Sequence, residues 1–147
     1  MPTTQQIART IANECTCLRL RGAARSLTRS YDAELRAAGL KLSQLSILVA
    51  VAMFGEDGAS MKRLAEVIAM DRTTLTRNLQ PLAKAAWIRI AAAPNDARSR
   101  TVSLTRAGAE VLEQAFPLWK RAQTAARKAL GPEHFEALNA ELSHVLR

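Results

Sequence analysis

Residues 95–108 read Asn-Asp-Ala-Arg-Ser-Arg-Thr-Val-Ser-Leu-Thr-Arg-Ala-Gly, and no other stretch narrows the fold as much. Pro94-Asn95-Asp96 has turn-forming chemistry, and Thr101-Val102-Ser103-Leu104 alternates polar and apolar side chains like a half-buried strand. Thr105 suits the position just before a helix. With Trp87-Ile88-Arg89-Ile90 as a second strand, the segment predicts a β-hairpin tipped by Arg98 and Arg100 that closes straight into a helix. A chain of 147 residues supports one domain with a real core.

The remaining periodicities predict helices. The first is expected over residues 5–37, with Leu20, Ala24, Leu27, Tyr31 and Leu35 on one face and Ile7, Ile11, Cys15 and Leu18 on another. Two apolar stripes need neighbours on two sides, and a partner subunit would supply the second. Gly39 ends this helix. Residues 43–54 are apolar nearly all round, hence central. After the loop Gly55-Glu56-Asp57-Gly58, Ser60 caps a short helix that buries Met61, Leu64, Ala65 and Ile68.

Asp71 caps the next helix, over residues 72–86, through the amide of Thr73 or Thr74. Leu75, Leu79, Leu82 and Ala86 form its buried side; Arg72, Thr73, Thr76, Arg77 and Gln80 lie opposite. Only Met70 and Asp71 are expected between these two helices, the tight connection of a helix-turn-helix. Pro81 removes one backbone donor from the second of them. Thr105 caps a long helix to about residue 130, kinked at Pro117. After Gly131-Pro132, Phe135, Leu138, Leu142 and Val145 line the inner face of a last helix.

Charge is unevenly spread along this pattern. The chain carries +8, and residues 60–106 hold nine basic side chains against three acids, Glu66, Asp71 and Asp96. Such a cationic third suits neutralisation of phosphates with release of their counterions. On charge alone a solvated basic face would serve equally well; the helix-turn-helix and hairpin beneath the charge favour duplex DNA. No apolar run approaches the roughly 20 residues that span a bilayer. The opening Met1-Pro2-Thr3-Thr4-Gln5-Gln6 has neither part of a signal peptide, so a cytoplasmic protein without membrane contact is expected. No Gly-rich phosphate loop, paired carboxylates or Ser/His/Asp set points to an enzyme, and no cofactor is expected.

The order helix, helix, helix-turn-helix, two-stranded wing, long helix, helix resembles the MarR family of bacterial transcriptional regulators. The resemblance rests on Asp96-x-Arg98 followed by Val102-Ser103-Leu104-Thr105-x-x-Gly108, together with Leu64-Ala65 and Asp71-Arg72-x-Thr74-Leu75-Thr76-Arg77. Leu40-x-Leu42-x-Gln44-Leu45 looks like the family's entry into its second helix, with Lys41 where a capping Thr is common. The match covers essentially the whole chain. It implies a mainly α fold with a small β-wing, a single domain over residues 1–147. Within it, a DNA-binding lobe at about 42–105 is flanked by dimerisation helices at about 5–37 and 106–146. It also implies a homodimer on a pseudo-palindromic operator, acting as a repressor released by a small-molecule effector. Each recognition helix would enter a major groove and each wing an adjacent minor groove.

On that frame Arg77 is the candidate base reader, since a guanidinium grips guanine O6 and N7 bidentately. Thr73, Thr74 and Thr76 suit phosphates or a thymine edge, and Arg72 a phosphate. Arg98, with Arg100 beside it, suits the negative potential of a narrow minor groove. The resemblance gives Asp96 the role of orienting Arg98 or Arg100 and shaping the wing. A winged helix used only for protein contacts would carry acids or apolar groups at 73, 76 and 77, where this chain has Thr, Thr and Arg.

Two further expectations concern control. Cys15 and Cys17, two apart on one expected helix, would point about 200° apart and could not easily bridge. With His134 and His144 remote in sequence, a metal site has no support. The run from Cys17 to Tyr31 is similar to the organic-hydroperoxide-sensing branch of the family, with Arg21 at the branch's other tyrosine position. That likeness implies a thiol-based alternative using Cys17 and a Tyr31 reaching across the dimer. Finally, Phe116 and Trp119 are candidates to line a pocket for an aromatic or phenolic effector, or else to form interface core.

Overall fold

The computed structural model describes residues 1–145; residue 146, the last of the expected C-terminal segment, lies outside the described residues. Its elements are α1 (Thr4–Glu14), α2 (Thr16–Leu35), a 3-10 turn (Arg36–Ala38), α3 (Leu42–Met53), β1 (Ala59–Ser60), α4 (Met61–Val67), α5 (Arg72–Lys84), β2 (Ile88–Ala93), β3 (Asp96–Leu104), α6 (Arg106–Leu130) and α7 (Pro132–Val145). The fold is mainly helical with a three-stranded antiparallel sheet in the order β1-β3-β2.

The core sits in the central lobe. α3 buries Leu45, Ile47, Leu48, Ala50 and Val51, and these meet Leu64 of α4, Leu75, Leu79 and Leu82 of α5, Ile88 of β2 and Val102 of β3 in one cluster. The same cluster continues along α6 through Ala115, Leu118, Ala122 and Ala126, where Tyr31 and Leu35 of α2 join it. α3 is preceded by Lys41, whose side chain has no oxygen to cap a helix. Asp32 of α2 does so instead, its carboxylate accepting from the Leu42 amide at 2.6 Å. Gln44 accepts from the Lys41 amide at 2.9 Å.

Several sequence expectations need correction. The first helix is two helices, because Cys15 is extended at φ −72°, ψ 104° between α1 and α2. No glycine or proline marks that break. Cys15 and Cys17 therefore do not share one helix. α4 stops at Val67, so four residues, not two, precede α5. α5 stops at Lys84, and Ala86 is exposed instead of buried. Both helices end in the same way. Met70 and Trp87 donate back to Ala65 and Leu82, five residues earlier, each bond at 3.0 Å. Ala69 and Ala86 take left-handed φ values of 50° and 57° to allow it. A third strand, β1, has no counterpart among the expected elements; it is two residues long, pairing Ala59 with Val102 and Ser60 with Thr101. The hairpin strands also run further towards the tip than expected, with a bulge between Ala92 and Ala93. On α7, Phe135, Leu138 and Leu142 are half-buried, but Val145 is 74% exposed.

The start of α6 is the tightest junction. Thr105 caps it by accepting from the Gly108 amide at 3.0 Å, while the Thr105 amide donates to the Trp87 carbonyl at 3.1 Å. The Thr105 hydroxyl lies 2.6 Å from the Ala86 carbonyl oxygen and 3.0 Å from that of Trp87. A Cβ on Gly108 would collide with the same Trp87 carbonyl, a main-chain atom with nowhere to go. Gly108→Ala is expected to destabilise the protein by about 2–3 kcal/mol, the overpacking range. Ala86→Gly at the same junction should stabilise it by up to about 1 kcal/mol, by removing the left-handed penalty of a Cβ. Urea denaturation of the two variants checks both signs.

Candidate nucleic-acid interface

α5 owes its placement to its own cap. Asp71 accepts from the Thr74 amide at 2.9 Å and from the Thr74 hydroxyl at 2.6 Å. These bonds, the hydroxyl's first, hold the Asp71 carboxyl below its ordinary pKa. The buried Leu75, Leu79 and Leu82 fix the helix against the core and turn the opposite face outward. On that face Arg72, Thr73, Thr76, Arg77 and Gln80 line one open groove of about 520 Å³. Thr74 is not part of it. It is half-buried and its single hydroxyl proton is given to Asp71, so it has none left for a phosphate, which only accepts. Thr76 bonds back to the Arg72 carbonyl at 2.8 Å from within the groove.

The wing is shaped by its own carboxylate. Asp96 accepts from the Arg98 amide at 3.0 Å, so it orients the arginine through the backbone. No ion pair involves Asp96 among the described residues. A second notch, of about 450 Å³, lies between the wing and α4, and Arg98, Arg100, Lys62 and Arg72 are among its lining residues. Arg72 thus belongs to both openings, which makes the groove and the notch one surface. Among the described residues none of Arg72, Arg77, Arg98 and Arg100 is paired with an acid.

Lys62 and Ser99 also line the notch, and neither stands out in the sequence as a DNA contact. Lys62 is in the second position of a short helix with a clear apolar pattern, and only the fold brings it beside the wing. Gln80 is legible on the outer face of α5, but not as part of a groove.

The residues considered for control are separated. Cys17 is exposed near the start of α2. Tyr31 is buried, its hydroxyl donates to Gln123 of α6 within the same chain, and burial pushes its pKa up. Phe116 and Trp119 stack with ring centroids 6.0 Å apart at 11°. They line an apolar cavity of about 730 Å³ with Leu45 and Val49 of α3, Leu104 of β3, and Ala109, Leu112 and Glu113 of α6. The Lys120 Nζ stands 4.7 Å from the Phe116 ring centroid.

A capped recognition helix, a short helix before it and an arginine-tipped hairpin define a winged helix-turn-helix protein of the DNA-binding class. The MarR family model matches residues 38–99, from just before α3 to the wing tip. The transcriptional regulator MosR of M. tuberculosis, solved in complex with DNA, is 33% identical, with 90% of this chain and 94% of that one covered and a TM-score of 0.77. A probable transcriptional regulator from Pseudomonas aeruginosa is 26% identical over 90% of this chain and 98% of its own, at a TM-score of 0.78. A mutant of MarR from E. coli, complexed with operator DNA, is similar in fold, at 24% identity, 93% and 98% coverage and a TM-score of 0.81. No curated protein matches the chain significantly. The chain belongs to the MarR family of winged-helix transcriptional regulators, which are not enzymes. No single helix among the described residues is long and apolar enough to cross a membrane.

The Asp71 cap has a pH signature. Its native pKa lies below the unfolded value, so its contribution is present above about pH 4, the ordinary range for Asp. It is lost as pH falls through the native value. Asparagine caps without titrating. Denaturation midpoints followed from neutral pH downward should therefore show the wild type losing more stability than Asp71→Asn.

Proposed function

We propose that the protein is a homodimeric repressor that holds a pseudo-palindromic operator through α5 and the wing and releases it when a small molecule binds. The observation that carries this reading is the single surface formed by unpaired Arg72, Arg77, Arg98 and Arg100. Arg77, with Thr73 and Gln80 around it, reads base edges in the major groove; Thr76, whose hydroxyl proton is on the Arg72 carbonyl, offers only its methyl group and its oxygen as an acceptor. Arg72 and Lys62 hold phosphates, and Arg98 and Arg100 reach the minor groove from a wing held in shape by Asp96. Thr74 serves the interface by bonding Asp71 rather than by touching DNA. MosR, a relative of similar length, was solved in complex with DNA, which supports a DNA-binding role.

Dimerisation is supported by surfaces the chain leaves uncovered. α1 buries no residue of its own, although Ile7 and Ile11 share one of its faces, and Leu18 and Leu20 on α2 are exposed as well. The second copy covers them and sets two wings and two recognition helices on one operator. Such a protein works where the chromosome is, in the cytoplasm. The cavity lined by Phe116 and Trp119 is the effector site, since it lies between α3 of the lobe and the long helix α6. One observation favours a thiol-based variant of this control. Cys17 is exposed beside the break at Cys15, although Tyr31 is committed to Gln123.

Sites selected from random duplex DNA supply the operator for the test. Arg77→Ala should weaken binding by about 1–3 kcal/mol and relax base preference at one position in each half-site. Arg72→Ala and Arg98→Ala should weaken all sequences more evenly, Arg72→Ala also reducing the salt slope by about 1. Salt-insensitive binding, or wild-type affinity in all three variants, would overturn the assignment of this surface.

A further inference from the structure

The cavity beside α6 has an uneven chemistry. Of its eight lining residues, seven are apolar or aromatic and the eighth is Glu113. Among the described residues no basic side chain lines it. Phe116 and Trp119, stacked on each other, are both among the lining residues. Aromatic faces are negative at their centres, so a flat stacked pair next to a carboxylate favours a cation over an anion. The chain displays this preference itself, because Lys120 places its ammonium over the Phe116 ring at 4.7 Å. An anionic ligand entering the cavity would shed water and meet Glu113, with no lining cation to offset the loss. A volume of about 730 Å³ falls within the range of drug-sized ligand sites and admits a molecule of two fused rings.

We propose that this cavity takes a flat aromatic molecule bearing a cationic group, with the rings against Phe116 and Trp119 and the cation on the Glu113 carboxylate. The inference rests on the effector reading of the cavity and adds the charge of the ligand. Glu113 is then the residue that determines specificity. Lys120 already supplies the Phe116 ring with a cation, and its removal leaves that ring's negative face density to the bound cation.

Three probes that share one ring system test it: 1-naphthylmethylamine, 1-naphthalenemethanol and 1-naphthoate, titrated calorimetrically into the full chain. Quenching of Trp119 in a Trp87→Phe background locates the bound rings. The amine should bind about tenfold more tightly than the alcohol, the scale of a hydrogen bond to a charged group, and naphthoate should bind most weakly. Glu113→Gln should reduce the amine to the level of the alcohol while leaving the alcohol unchanged, and Lys120→Ala should tighten the amine. Equal binding of all three, naphthoate binding best, or an amine preference that survives in Glu113→Gln would overturn the proposal while leaving the cavity as a ligand site. Failure of all three probes to bind would remove the effector reading and this inference with it.

Discussion

One threonine and one glycine make the tightest junction between the lobe and the long helix. Thr105 reaches the Ala86 and Trp87 carbonyls, between α5 and β2, with its amide and hydroxyl, and it accepts from Gly108 at the start of α6. Gly108 contributes by having no side chain, which lets the first turn of α6 rest on the Trp87 carbonyl. The recognition helix, both wing strands and the long helix therefore meet within four residues. From there α6 is fixed to α2 by Tyr31 on Gln123 and by Arg121 on Glu34 at 2.9 Å, and to α7 by Arg127 on Glu136 at 3.0 Å. The Thr-x-x-Gly spacing is thus a physical requirement of joining a hairpin to a helix at this distance.

A second constraint acts on charge. The three acids of the central third are all engaged locally. Asp71 holds Thr74, Asp96 holds the Arg98 amide, and Glu66 lies 3.7 Å from Arg63. None is paired with the arginines of the groove. Two of them do structural work on backbone amides, where a carboxylate is the strongest available acceptor. A positive surface can thus carry acids in its framework without losing its outward-facing guanidinium groups. Asp71 shapes the helix start and Asp96 the wing, and among the described residues Arg72, Arg77, Arg98 and Arg100 have no acid partner.

What was legible in the sequence was mostly local. Ser60, Asp71 and Thr105 each cap the helix they were expected to cap, because an N-cap is a contact between residues three apart. Gly39 and the Pro94-Asn95 turn are local in the same sense. The missed features are set at long range or against propensity. Ala69 and Ala86 adopt left-handed conformations that glycine would normally announce, held there by the bonds that close α4 and α5. β1 is too short to show a period and exists because β3 offers it an edge. Asp32 capping α3 and Tyr31 on Gln123 join residues 10 and 92 positions apart. At the candidate interface the residue types were legible but their grouping was not. Thr74 stands with Thr73 and Thr76 in sequence as a candidate DNA contact, but half-burial and its bond to Asp71 set it apart. Lys62 joins Arg98 and Arg100 only once the wing folds over α4.

The cavity and the Thr105 junction share a residue, and that bears on how a ligand could be felt at a distance. Leu104 lines the cavity and is followed at once by Thr105. Leu45 and Val49 form the wall from α3, at the centre of the lobe, while Ala109, Leu112, Glu113, Phe116 and Trp119 form the wall from α6. A molecule held between the two helices binds with a free energy that depends on how they stand, so by linkage its binding biases their arrangement. A site within α3 alone would have no such leverage, because both of its walls would move together. The wing strand ends at that boundary, and the recognition helix is bonded to it through Ala86 and Trp87. Thr105 is thus one point at which a change in the angle between α3 and α6 meets the elements that carry Arg77 and Arg98.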